Sequence, residues 1–334
     1  MDFSSSGEAR DLAALTRDLA ASGRPLWPAL AEAGVLAAAL PKRAGGEGYG
    51  LLEQCAILVE LGRAAATVPY LPSIVAAASA LCRFGTDAQV AEWAAPAAGG
   101  ALVLAAAPDG SVDARPDGAG WLLDGEVAAV PAADRAALIL VPAGPDVFLV
   151  RPGDPGVEVE PQRVEGGPGA GLLRLDSAPG HPLEGAAAWL AAHAAVGACA
   201  AQLGVVERAL EMTAEYARTR VQFGKPIGSF QAVSQRLADA YIDVEALRLT
   251  MWQAAWLLSE DRPAGAEVAT AGFWAAEAGH RVLHTAVHVH GGVGIDVDYP
   301  LHGYFLAAKY HEFLLGGATG QLLTLASTLP GEQG

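Results

Sequence analysis

The chain is 334 residues long; 52% of it is hydrophobic and only 17% charged, which excludes a disordered chain and leaves ample length for a buried core in one large domain or two to three small ones. Thirty-seven acidic residues against 21 basic ones give a formal net charge of −16. That balance repels phosphate polymers and anionic lipid heads, so neither nucleic acid nor a membrane is expected as a partner.

The three cysteines, Cys55, Cys82 and Cys199, are far apart and odd in number, which argues against a disulfide scaffold or a cysteine-ligated zinc site. The first residues, MDFSSSGEARDLAAL, are too polar and acidic for a secretory signal, and a cytoplasmic location is expected. From Gly185 to Val206 no charged residue occurs, a length that could cross a bilayer. The segment is mostly Ala and Gly with His193 and Gln202 inside it, a composition better suited to a helix buried in a bundle.

In chain order, residues 1–97 read as an α-helical domain. Leu26–Leu36 and Leu52–Leu61 place apolar residues three and four apart, and Pro41 with the Gly45–Gly50 cluster marks a loop between them. Residues 98–184 read as a small antiparallel β domain. Short apolar or alternating runs (102–107, 121–127, 137–141, 147–150, 157–160, 172–175) are separated by turn formers at 108–110, 116–118, 144–145 and 153–156. Residues 185–330 turn helical again. Leu203, Val206, Leu210 and Ala217 mark one helix, and another runs from about Gly265 to Val289. Between them Val233, Leu237, Ala240, Val244, Leu247, Met251, Ala254 and Leu258 alternate steps of four and three, the period of a long helix in a near-parallel bundle. The expected class is α+β, helices then strands then helices. The lack of helix–strand alternation disfavours a doubly wound nucleotide fold.

Arg218, Arg220 and Lys225 form the densest basic spot in this acidic chain, with Phe223 between them and Gly224, Pro226 and Gly228 supplying a turn. Cations on a turn between two helices converge on an anion, and arginine grips phosphate in a bidentate way; the same cations also suit a helix C-terminus for dipole reasons. Six of the eight histidines lie between His280 and His311, and His280, His284 and His288 share one helical face. Histidines four apart can hold zinc, but no glutamate stands between them as in HExxH, so they read as an interface or pocket lining and no metal is expected. Gly291-Gly292-Val293-Gly294 suits either close backbone approach of a ligand or a helix C-cap.

These pieces, in this order, resemble the acyl-CoA dehydrogenase family. Residues 218–233 (RTRVQFGKPIGSFQAV) are similar to its R-x-x-F-G-x-x-I-x-x-F-Q segment. Residues 288–294 (HVHGGVG), followed by Tyr299-Pro300 and Ala308-Lys309, are similar to its Q-x-x-G-G-x-G…AK segment. LWPALAEAGVL (26–36), GGEGYG (45–50) and ELGR (60–63) resemble its N-terminal helical domain. The resemblance implies an α domain, a β domain, a C-terminal four-helix bundle, FAD as cofactor and acyl-CoA thioesters as substrates. It also implies that FAD is shared between subunits, its adenosine-diphosphate half resting on the neighbour's residues. In this chain those are Arg220, Phe223, Gln231, Gly291 and Gly292, with His288 standing where the family usually has Gln.

One departure stands out. The family's reaction takes the α-proton of the thioester with a glutamate six residues beyond the AK pair; here that position is Leu315, and the alternative position, near Ala194, has no carboxylate between Glu184 and Glu207. Glu312, one helical turn before Leu315, is the first substitute, with Asp296 and Asp298 behind it. The family's T-E-P-x-A-G-S-D loop, which holds flavin and substrate, is reduced to AAPDGS (106–111). Some actinobacterial members of the family form α2β2 heterotetramers in which one partner supplies the base, including those of steroid side-chain degradation, and the Ala/Gly-rich, lysine-poor composition suits such a source. The expectation is therefore a base-deficient subunit that completes the FAD site of a homologous partner acting on an acyl-CoA, with a steroid-CoA favoured by analogy to those members. Three competing readings are a homotetramer using Glu312 as a displaced base, a flavin-free acyl-CoA-binding scaffold and, last, a metal hydrolase built on His280, His284 and His288.

Overall fold

The structure, a computed structural model, describes residues 6–108, 111–118 and 120–328. Its order is that expected of the α+β class: helices, a sheet, then helices. The described residues gather into two compact units, one of residues 6–54 and 67–197, the other of residues 55–66 and 198–328.

The first unit opens with α1 (Gly7–Ala21), capped by Ser6, whose hydroxyl accepts from the Ala9 amide at 3.0 Å. The stretch with helical spacing over 26–36 forms two helices, α2 (Leu26–Glu32) and α3 (Val35–Ala38), because Gly34 between them is left-handed at φ 74°. After α4 (Leu51–Arg63), which passes from the first unit into the second, a π-helical stretch Tyr70–Ala78 runs into α5 (Ser79–Phe84). Then α6 (Asp87–Gln89), a second π-helical turn and α7 (Ala95–Ala98) lead to the sheet.

Seven strands follow: β1 (Leu104–Ala106), β2 (Ser111–Asp117), β3 (Gly120–Pro131), β4 (Leu138–Ala143), β5 (Asp146–Val150), β6 (Val157–Gln162) and β7 (Ala170–Leu183). Their order is β1-β4-β5-β7-β3-β2, with β6 also on β7, and every pair is antiparallel except β1 with β4. Leu123, Val130, Ile139, Phe148, Leu173 and Ala178 fill the core of this sheet. Two features differ from the sequence reading. β2 occupies the stretch between the turn formers read at 108–110 and 116–118 and takes in Pro116 and Asp117, and β7 continues through Pro179 and Pro182 to Leu183. Of the AAPDGS segment, Asp109 and Gly110 lie outside the described residues.

The second unit is built on α8 (Ala187–Thr219, its first turns in the other unit), α9 (Gln231–Ser259), α10 (Gly265–His290), α11 (Leu301–Leu314) and α12 (Gly317–Thr328). The expected bundle of four long helices thus carries a fifth, α12, packed on α10. The apolar seam read along α9 is its buried face at Ala240, Val244, Leu247, Met251 and Ala254. Among the described residues α8 is long and apolar enough to cross a membrane, at a mean hydropathy of 1.5, but 72% of that window is buried within the protein, as in a core helix.

Close contact of α4 with α8 is possible because both are glycine at the crossing. A Cβ on Gly62 would lie 2.0 Å from the Ala201 carbonyl oxygen, and one on Gly204 would lie 1.9 Å from that of Val59. Beside the crossing, Arg63 pairs with Glu207 and Glu211, both at 2.9 Å, and its carbonyl accepts from Tyr304 at 2.7 Å. Deeper in the unit, the Gln202 amide donates to the carbonyls of Ala275 (3.1 Å) and Ala308 (3.2 Å) and accepts from His311 Nδ1 (3.3 Å). Burial pushes His311 down to about 4, so the imidazole is neutral and satisfied in this network.

Candidate functional site

The residues singled out by the basic and glycine motifs meet at one end of the second unit. α8 ends at Thr219 and a two-residue hairpin follows, β8 (Val221–Gln222) pairing with β9 (Lys225–Pro226). The connector is tied down by short backbone bonds: Arg220 N–H to the Tyr216 carbonyl, and Ile227 N–H to the Arg220 carbonyl, both 2.8 Å. Gln231 then opens α9, so Arg220, Phe223 and Gln231 are carried on one compact connection.

Phe223 is the anomaly of that connection. The hairpin turns on Phe223 and Gly224, both left-handed at φ 53° and φ 78°. A two-residue hairpin of this hand wants Asn-Gly or Gly-Gly; a bulky residue there is strained by about 1 kcal/mol. Phe223 is also 92% exposed, with only an edge contact to Phe230 at 6.1 Å, while Lys225 lies over the Phe230 ring at 4.5 Å. Neither the strain nor the exposed phenyl is repaid within the chain.

The glycine motif reaches the same end through an aromatic stack that sequence reasoning missed. Tyr216, one turn before Arg220, stacks on His290 at 4.3 Å and 23°, and Tyr299 lies on His290 at 5.4 Å. His290 Nδ1 donates to the Ala286 carbonyl at 2.9 Å, and burial pushes its pKa below the ordinary value against the pull of that carbonyl. The signal available in the sequence was Tyr216 standing four residues before Arg220, with His290 directly preceding Gly291. Gly291 caps α10 at φ 65° and ψ −140°, a conformation open to glycine, and no atom lies within 4 Å of a Cβ built on Gly291 or Gly292. The C-cap and ligand-approach readings of this motif are therefore compatible.

The cations divide in use. Arg218 is paired with Glu215 at 2.6 Å, whereas no carboxylate among the described residues pairs with Arg220. Arg236, which the sequence reading passed over, is likewise uncommitted. Arg236 and His288 line a groove of about 920 Å³ between α9 and α10, together with Asp239, His280, Arg281 and His284. Arg281 is held by Asp243 at 3.1 Å, and burial, opposed by that arginine, pushes the Asp243 carboxyl above its ordinary range. The His280 and His284 rings lie 4.4 Å apart, tilted by 34°, and among the described residues no three metal-ligating side chains form a cage.

The candidate bases differ in their surroundings. Leu315 is buried at the end of α11, its carbonyl taken by the Gln321 amide, and two left-handed glycines, Gly316 and Gly317, follow it. Glu312 lies 2.7 Å from Lys309 Nζ and 3.4 Å from His280 Nδ1. A carboxylate neutralised in this way is a weak acceptor for a carbon-bound proton. Asp296 accepts from the Asp298 amide at 3.0 Å in an exposed loop, and Ala194 offers only a methyl group.

Comparison with known proteins agrees with this layout. Residues 8–101 match the family described as acyl-CoA dehydrogenase, N-terminal domain, and residues 185–329 match acyl-CoA dehydrogenase, C-terminal domain. The chain is 51% identical to acyl-CoA dehydrogenase FadE27 of Mycobacterium tuberculosis, over 92% of this chain and 88% of that protein. It superposes on a chain of the ChsE4-ChsE5 complex of Mycobacterium tuberculosis with a TM-score of 0.94 at 47% identity, covering 99% of this chain and 100% of that one. On a chain from the Tcur3481-Tcur3483 steroid ACAD, G363A variant, the TM-score is 0.90 at 38% identity, covering 96% and 97%. With both terminal domains matched, a close relative along nearly its whole length and the same fold throughout, the chain belongs to the acyl-CoA dehydrogenase family of oxidoreductases.

Proposed function

We propose that this chain is the base-deficient subunit of a two-component, FAD-dependent acyl-CoA dehydrogenase, a cytoplasmic α2β2 heterotetramer with a homologous partner. Its division of labour follows the three segments 1–97, 98–184 and 185–330. The reaction is α,β-desaturation of an acyl-CoA thioester, and the naming of a related structure as a steroid ACAD favours a steroid-CoA as the acyl group.

One contrast carries the reading. The groups suited to a dinucleotide are exposed and uncommitted, whereas the position suited to a base is a buried leucine and the nearest carboxylate is locked in an ion pair. FAD fits the donor set on this chain. An unpaired guanidinium at Arg220 suits a pyrophosphate, the strained and exposed Phe223 offers a face for a heterocycle, and Gly291 and Gly292 leave backbone open to close approach. Gln231 and His288 add hydrogen-bonding groups at the same end. When bound, FAD supplies the acceptor for the hydride that leaves the β-carbon. The base that takes the α-proton comes from the partner, and this chain's part is to bind and orient.

The test is to purify the chain alone and with its partner, then measure bound flavin and acyl-CoA oxidation. The complex should hold flavin and turn over, and the lone chain should do neither. Full flavin loading with turnover by the lone chain would overturn the reading.

A further inference from the structure

We infer that His290 is a positioning residue for dinucleotide binding: its ring, clamped between Tyr216 and Tyr299, joins the glycine turn that ends α10 to the arginine connector that follows α8. This inference rests on the FAD reading above and adds to it the contact that sets the two halves of the pyrophosphate grip against each other.

Arg220 and the glycine pair come from distant parts of the chain, and one residue touches both segments. The Tyr216 carbonyl accepts from the Arg220 amide at 2.8 Å. The Tyr216 side chain, 74 residues before His290, stacks on its ring at 4.3 Å and donates from its hydroxyl to the His290 carbonyl at 3.5 Å. That carbonyl belongs to the peptide leading into Gly291. Tyr299, from the connection before α11, covers the ring at 5.4 Å and 55°. The connector itself is seated closely on α8, since a Cβ on Gly228 would lie 3.0 Å from the Ala217 carbonyl oxygen. A displacement of His290 therefore moves Gly291 and Gly292, which face open space, against a backbone at Arg220 that stays in place. Binding groups on two elements act together only while a supporting contact fixes their spacing.

The choice of an imidazole here makes the clamp conditional. His290 is 3% exposed and its Nδ1 donates to the Ala286 carbonyl, which leaves Nε2 as the acceptor of the ring. Among the described residues that buried nitrogen has no hydrogen-bond partner. A phenyl ring would keep the stack and strand nothing, so the nitrogen adds nothing to packing. The titratable groups that face the ring are Tyr216 from α8 and Tyr299 from the loop before α11, and no carboxylate pairs with it among the described residues. A proton on Nε2 would be a charge without water or acceptor, and burial accordingly pushes the pKa below the ordinary 6.5. The attraction of a cation to tyrosine faces does not replace that lost hydration. The clamp is thus complete above pH 6.5 and is released as pH falls through the lower folded value.

The experiment follows the release of flavin from the co-purified complex after dilution, by the return of free-flavin fluorescence, between pH 5.5 and 8. At pH 8 His290→Ala and Tyr216→Ala should each speed release at least about tenfold, and the double variant should be no faster than either, because the two rings act as one unit. His290→Phe, which keeps a ring in the stack, should restore release to within about threefold of wild type. On acidification the wild-type complex should lose flavin faster than the His290→Phe complex, and a limb common to both profiles belongs to another group such as His288. Release from His290→Ala at the wild-type rate, or identical pH profiles for wild type and His290→Phe, would overturn the inference while the FAD reading stands. If His290→Ala does not fold, the two pH profiles decide alone. A wild-type complex without flavin would overturn this inference and the FAD reading together.

Discussion

Phe223 and Leu315 are opposite ends of one trade. Phe223 holds a left-handed backbone and an exposed ring, both unfavourable in the isolated chain. Replacing it with asparagine, the residue the turn prefers, should stabilise the lone chain by about 0.5–1 kcal/mol in urea unfolding, while the assembled complex loses flavin more readily on dilution. Leu315 is the converse, well packed and chemically silent. Leu315→Glu places an ionisable group where a leucine is buried, so it should destabilise the chain by roughly 1–3 kcal/mol and leave the lone chain without turnover. Glu312→Gln removes a paired acid, and the complex should keep its rate within about threefold; a drop of several orders of magnitude would identify Glu312 as the base.

At the scale of elements, the crossing of α4 and α8 depends on the absence of two methyl groups. Gly204→Ala directs a Cβ onto the Val59 carbonyl, and because backbone cannot swing aside as a side chain does, the expected loss is about 3 kcal/mol, read as a fall in melting temperature of the lone chain. Helices of this kind were legible in the sequence. The alternation of four and three along α9 reports a buried seam directly, since each turn repeats the same contact. The sheet was half legible. β2 carries only a short alternation, Val112 and Ala114 inward against Asp113 and Arg115, before Pro116 and Asp117 interrupt it; it is an edge strand, paired on one side with β3. β7 beyond Asp176 contains Pro179, Gly180 and Pro182, which give no apolar run to extend the one read at 172–175; pairing with β3 and then β5 holds it extended. Of the site, the Arg220, Phe223, Gln231 and glycine motifs were visible as words, whereas the Tyr216–His290 stack and the uncommitted state of Arg236 were not. Stacking and pairing are relations between distant positions, and no local pattern encodes them.

For the molecule as a whole, acid stability is tied to the buried network around Gln202. His311 has an ordinary value of 6.5 when unfolded and about 4 in the folded chain, because burial outweighs the Ala307 carbonyl. Between those values the unfolded chain binds a proton that the folded chain refuses, so this residue's contribution is complete above pH 6.5 and is lost as pH falls towards 4. The loss is on the order of 3 kcal/mol, and His311→Asn should flatten that limb of the stability profile relative to wild type. The sequence by itself determined the class of fold, the order of its segments and the family, because hydrophobic period and short motifs are local properties of the chain. Only the tertiary structure decided which cations are spent and which are free, that Glu312 is clamped by Lys309 and His280, and that Ile242 and Leu249 of α9 stay exposed. A side chain's availability for chemistry depends on what its three-dimensional neighbours leave unsatisfied.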